Sequence, residues 1–98
     1  MKITKNMNGT ELTIVPEGRL DTTTAPELEQ ALKDSMDGAN TLTLDFGKLD
    51  YISSAGLRVL LSAHKAMSKK GGMKVIHVND MVSEVFDVTG FADILTIK

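Results

Sequence analysis

Apolar and polar positions change period several times along this chain, and each change marks an element. Residues 2–7 and 11–16 read as short strands, joined by Asn8-Gly9, a pair that tolerates positive φ and suits a tight hairpin. Pro16 cannot donate to a ladder, so the second strand should end there or lie at an exposed position. A threonine run follows, and Thr24-x-x-Glu27 reads as a capping box, with Pro26 acceptable in the first helical turn. Leu28, Ala31, Leu32 and Met36 make one apolar stripe, stopped by Asp37-Gly38. Residues 41–46 alternate strictly, with Leu42, Leu44 and Phe46 on one side and Thr41, Thr43 and Asp45 on the other.

Helical spacing returns at Leu57, Leu60, Leu61, His64 and Met67, in a helix opened by Ser53 and ended near Gly71-Gly72. Residues 73–78 form another strand. Asn79 or Asp80 caps a third helix whose apolar face holds Val82, Val85, Phe86 and Thr89, with Gly90 as its stop. Residues 94–97 make a short last strand. Strands alternating with helices imply parallel pairing and right-handed crossovers. Half-polar strands argue against a sheet covered on both faces. The expected fold is α/β: one small mixed sheet with an antiparallel N-terminal hairpin at an edge and helices mainly on one face.

Composition narrows the chemistry. Ninety-eight residues make a single domain, 1–98, with one core. The net charge of −2 makes neither nucleic acid nor an anionic membrane an obvious partner. The chain has no cysteine, which removes disulfides, thiolate catalysis and cysteine-ligated zinc. No signal-peptide region or membrane-length apolar run is present, so a cytoplasmic protein without membrane insertion is expected. Asn8-Gly9-Thr10 matches a glycosylation sequon but reads as a turn in that setting.

The candidate chemistry lies at the start of the second helix. Ser53 is placed to cap it through its hydroxyl, and Ser54 then falls in the first turn, where unsatisfied N–H groups and the positive dipole end tolerate a phosphate. By themselves two serines at a helix start are ordinary capping residues. A Ser54–His64–Asp21 triad is a poor reading: there is no Gly-x-Ser-x-Gly elbow, and Ser54 and His64 are roughly 15 Å apart along one helix. No phosphate-binding glycine loop or metal-ligand spacing occurs, so no catalytic residue, cofactor or metal is expected. His64 reads as a packed, hydrogen-bonded core histidine, and Gly56 as a residue permitting close backbone approach.

Three stretches share a pattern. Ile52-Ser53-Ser54-Ala55-Gly56-Leu57-Arg58-Val59-Leu60-Leu61 resembles the signature of STAS domains, in particular the bacterial anti-sigma factor antagonists. Gly18-Arg19-Leu20-Asp21 before a helix resembles the family's Gly-x-Leu-Asp element. Val85-Phe86-Asp87-Val88-Thr89-Gly90-Phe91 resembles its C-terminal Phe and Ser/Thr-Gly element. The resemblance covers nearly the whole chain in the same order and spacing. It departs from the commonest form, Asp-Ser-Ser/Thr-Gly, in having Ser53 at the Asp position and Ala55 after the acceptor.

The resemblance implies a protein-binding switch. Such proteins bind an anti-sigma factor that is also a serine kinase, freeing the sigma factor. The kinase phosphorylates the antagonist and ends the complex, and a serine phosphatase restores it. By motif the phosphoacceptor is Ser54, and the partner-binding residues are Asp21, Ser53, Gly56, Leu57 and Arg58. The second reading that the resemblance allows is an unregulated STAS scaffold in another signalling or lipid-transport complex.

Overall fold

A computed structural model describes residues 1–98. Strands β1 (Lys2–Asn8) and β2 (Glu11–Leu20) form the antiparallel edge hairpin. Its turn is Gly9-Thr10, one residue later than the sequence suggests, and only Gly9 has positive φ, at 64°. That is the two-residue II′ arrangement, in which the first turn position needs glycine. Helix α1 (Ala25–Ser35), a 3₁₀ turn (Met36–Gly38) and β3 (Thr41–Asp45) follow. Then come β4 (Leu49–Ile52), α2 (Ser54–Met67), β5 (Met73–Ile76), α3 (Asp80–Thr89), α4 (Phe91–Ile94) and β6 (Thr96–Ile97).

The sheet runs β1-β2-β3-β5-β6, and β4 branches off β2. Every pairing except the hairpin is parallel. Register aligns the apolar rows: Leu12 faces Leu42 and Ile14 faces Leu44, while Leu42 and Leu44 face Met73 and Val75. All six are buried, whereas Thr13, Thr41, Thr43 and Lys74 on the opposite face are not. Because side chains alternate across a strand, the core therefore sits on one face of the sheet.

β2 is longer than its sequence suggests, because two partners share its inner edge. Residues 11–14 pair with β3 and residues 18–20 with β4. Pro16 lies in the gap between them, opposite Ile3 of β1, so its missing N–H leaves no ladder bond unmade there. Its ring is buried and β2 runs on to Leu20, which corrects the expectation that the strand ends at Pro16 or lies exposed there. At the changeover Gly18 has φ 101°, and the register shifts so that Asp50 has no counterpart between Gly18 and Arg19. This is a β-bulge on β4, and the left-handed backbone opposite it explains a glycine at position 18.

Asn79 caps α3 as expected: its carbonyl oxygen accepts from the Val82 N–H at 2.8 Å, and its amide donates to Leu49 O at 2.7 Å. Gly90 ends α3 in the left-handed conformation, φ 81°. On α2 the buried face is Gly56, Leu57, Val59, Leu60, Ala63 and Met67. Leu61 and His64 flank that face and are only half-buried, which corrects their assignment to the core. No helix is long and apolar enough to cross a membrane.

Candidate functional site

Parallel pairing brings the two motif loops together. Leu20 pairs with Ile52, and the Ser53 N–H donates to Leu20 O at 2.9 Å, so Asp21 and Ser53-Ser54 leave adjacent strand ends side by side. This is the carboxyl end of the strands, where open α/β sheets place their loops of function.

Asp21 organises its own loop. Its Oδ1 accepts from the N–H groups of Thr23 (3.0 Å) and Thr24 (3.1 Å), and its backbone carbonyl accepts from Ala25. The Thr24 backbone N–H above all holds the Asp21 carboxyl below its usual range, with Thr23, the Thr24 hydroxyl and Arg19 acting the same way against desolvation. The capping box does not form. The Thr24 hydroxyl instead accepts from the Asp21 N–H (2.9 Å) and donates to Arg19 O (2.6 Å), while Glu27 turns to the Met1 amine at 3.4 Å. The aspartate has taken over the anchoring role because its carboxylate reaches two donors at once.

Ser53 is at the N-cap with extended backbone, but its hydroxyl makes no capping bond; Oγ is buried without a partner. The first intrahelical bond is Leu57 N–H to Ser53 O, 3.0 Å. The N–H groups of Ser54, Ala55 and Gly56 therefore have no acceptor within the helix. Ser54, at the first helical position, is exposed. Gly56 and Leu57, expected at the partner surface, are buried beneath it. A Cβ on Gly56 would come within 2.7 Å of Leu20 Cγ and 2.9 Å of Ile52 Cγ1, so glycine here lets α2 press against both strand ends. Leu57 is 5% exposed and anchors the same turn.

Beside Ser54 an open cleft of about 270 Å³ separates the starts of α1 and α2. Thr22, Pro26 and Glu29 line one side, and Ala55, Arg58 and Val59 the other. Arg58 is exposed and takes part in no ion pair. Sequence reasoning found Arg58 but missed the α1 side of the cleft, because Thr22, Pro26 and Glu29 carry no signal until the two helices are packed together. Arg19 stacks over Tyr51, 4.3 Å from the ring centroid, and lies 4.0 Å from the Asp21 carboxylate. His64 is elsewhere, in a cleft of about 400 Å³ with Glu11, Thr41 and Gly72, and its Nδ1 is buried without a hydrogen bond. Its expected hydrogen bond is thus absent, and no triad assembles. Nor does any group of three or more His, Asp or Glu side chains gather in metal-binding geometry.

An open mixed sheet with its core on one face and an exposed serine opening α2 define a small α/β domain. The STAS domain family model matches residues 2–98, and the chain belongs to that family. BtrV of Bordetella bronchiseptica, provisionally named an anti-sigma factor antagonist, is 35% identical over 99% of this chain and 85% of its own length. The anti-sigma-B factor antagonist of Staphylococcus aureus is 28% identical over 83% of this chain and 77% of its own. Among solved structures, an anti-sigma factor antagonist from Mycobacterium paratuberculosis superposes with a TM-score of 0.89 at 22% identity, over 98% of this chain and 83% of that one. The phosphorylated form of SpoIIAA from Bacillus gives 0.76 at 15% identity, over 99% and 91%. These relatives are named as antagonists and not as enzymes.

Proposed function

We propose that this chain is a cytoplasmic anti-sigma factor antagonist that binds an anti-sigma factor with serine kinase activity, and that phosphorylation of Ser54 switches the binding off. A serine phosphatase resets it. The observation that carries the reading is the exposed Ser54 hydroxyl on a turn with three N–H groups lacking helical acceptors, next to a Ser53 hydroxyl that does not cap them. The family relationship supplies the class of partner.

The chemistry follows from that placement. Unmodified, the site offers a small neutral hydroxyl, the Arg58 guanidinium and the cleft between α1 and α2 to a partner. A phosphoserine adds about −1.5 to −2 charges and three acceptor oxygens. The helix N-terminus stabilises that charge, so the fold persists. The partner, however, must now desolvate a dianion on the helix end next to the Asp21 loop. Burying an uncompensated charge costs far more than burying a hydroxyl. Each ~1.4 kcal/mol weakens affinity tenfold, so two or three such increments make a switch. Gly56, Leu57 and Ser53 act by holding the turn in place, while Ser54, Arg58 and Asp21 face the partner.

Incubation with ATP and the serine kinase encoded nearest the gene, followed by mass spectrometry, tests the assignment. A single phosphate on Ser54, lost in Ser54→Ala, is expected. Phosphate on Ser53 alone, or none with a kinase active on other substrates, refutes it and leaves an unregulated scaffold.

A further inference from the structure

We propose that Arg58 is the intramolecular receptor of a phosphate on Ser54, so that modification withdraws this guanidinium from the partner surface as well as adding charge. The proposal rests on the reading of Ser54 as phosphoacceptor. Ser54 and Arg58 are positions i and i+4 of α2, both exposed. Residues so spaced sit one above the other, with Cβ atoms about 5–6 Å apart. Helical side chains lean toward the N-terminus, which brings the turn that carries Ser54 within reach of the Arg58 side chain.

The neighbouring charges leave Arg58 available. Arg19, another cation at this end of the sheet, is occupied by the Tyr51 ring and the Asp21 carboxylate, while the Met1 amine and Lys2 pair with Glu27 and Glu17. Asp21 is engaged by the N–H groups of its own loop. Glu29 shares the cleft with Arg58 but has its own cation, Lys33, at 3.6 Å. Either group can meet the guanidinium fork with two oxygens, but a phosphate dianion outcompetes this solvated carboxylate because it carries more charge and has no cation of its own. Before modification Arg58 is free to meet an acceptor on the partner; afterwards it is folded back along its own helix. Lysine at this position keeps the charge and loses the fork.

The test uses the full chain with phosphoserine installed at 54 during translation, so that no kinase or partner is needed. Phosphorus NMR then follows the second ionisation of the phosphate with pH. A nearby cation favours the dianion, so the pKa should be lower in the phosphorylated wild-type sequence than in its Arg58→Ala variant by about 0.3 unit or more. Arg58→Lys should fall between them. The helix dipole contributes equally to all three, and the Arg58 Nε–H resonance should shift with the same midpoint. Equal pKa values in all three proteins, with an Arg58 resonance indifferent to the phosphate, overturn the proposal. Loss of partner binding on phosphorylation together with that result leaves the switch standing and removes Arg58 from it. A depressed pKa with unchanged partner affinity does the reverse.

Discussion

Gly56→Ala tests how the site is held. Elsewhere in a helix this change stabilises, by about 0.5–1 kcal/mol, because glycine loses more backbone freedom on folding. Here the added Cβ meets Leu20 Cγ at 2.7 Å, Ile52 Cγ1 at 2.9 Å and Leu20 Cδ2 at 2.9 Å. Leu20 and Ile52 are 0% and 1% exposed, and their nearest carbons are inner atoms of packed chains. Rotamer changes have nowhere to go, so α2 or the strand ends must move. Overpacking of this kind costs about 1–3 kcal/mol. Set against the backbone gain, the net expectation is a loss of about 0–2.5 kcal/mol, and each kcal/mol lowers the melting temperature by roughly 4–8 °C in a domain of this size. Because those strand ends launch Asp21 and Ser53, partner affinity should fall as well. Urea unfolding followed by far-UV circular dichroism measures the first effect. A variant more stable than the parent by about 0.5–1 kcal/mol, the ordinary helical gain, refutes the close-approach account of Gly56.

Other substitutions probe other parts of the structure. Phe86→Ala removes a ring that is 0% exposed and should cost about 3–5 kcal/mol, enough to unfold much of a domain stable by about 5–15 kcal/mol; a small change in the thermal melt contradicts the packing. Lys70 donates to the carbonyls of Met36 (2.8 Å), Asp37 (3.4 Å) and Ala39 (3.1 Å), closing the 3₁₀ turn after α1. Lys70→Met should cost about 1–2 kcal/mol in chemical denaturation, and no loss refutes that role. The folded-state pKa of Asp21 is lowered, so its contribution is present above the ordinary carboxylate value and is lost as pH falls through the lower, folded one. Asp21→Ala should therefore lower the melting temperature at pH 7, with the gap to wild type closing below about pH 4; a gap independent of pH excludes the charge as its cause.

Much of this structure was legible in the residues. The alternation of Thr41–Asp45, the Asn79 cap and the Gly90 stop formed where local physics puts them, and the edge hairpin formed with its turn one residue later. β4 was not foreseen, since four residues, Leu-Asp-Tyr-Ile, carry too little periodicity to distinguish a strand from a loop. It exists because the far half of β2 offers an unpaired edge, which is a tertiary fact. The phase of α2 was misread for a related reason. Gly56 and Ala63 add little hydrophobic signal, yet small residues mark where the helix approaches the sheet, and they rotate Leu61 and His64 to its flank. At the candidate site, Asp21 and Ser54 leave adjacent strand ends, with Arg58 one turn further along α2. The hydrogen bonding went otherwise than local rules suggest: Asp21 anchors its turn in place of Thr24, and the buried Ser53 hydroxyl caps nothing. Which of several polar side chains takes a donor depends on reach, and reach is set by the packed backbone.

The most direct test of the central claim is calorimetric titration of the partner anti-sigma factor with three forms of this protein: unmodified, phosphorylated at Ser54, and Ser54→Ala. Affinity should fall by about 100-fold or more on phosphorylation, corresponding to about 2.7 kcal/mol, while Ser54→Ala binds like the unmodified chain. Ser54→Asp, with one charge and a shorter side chain, should fall in between. Equal affinity of the phosphorylated and unmodified proteins contradicts the account.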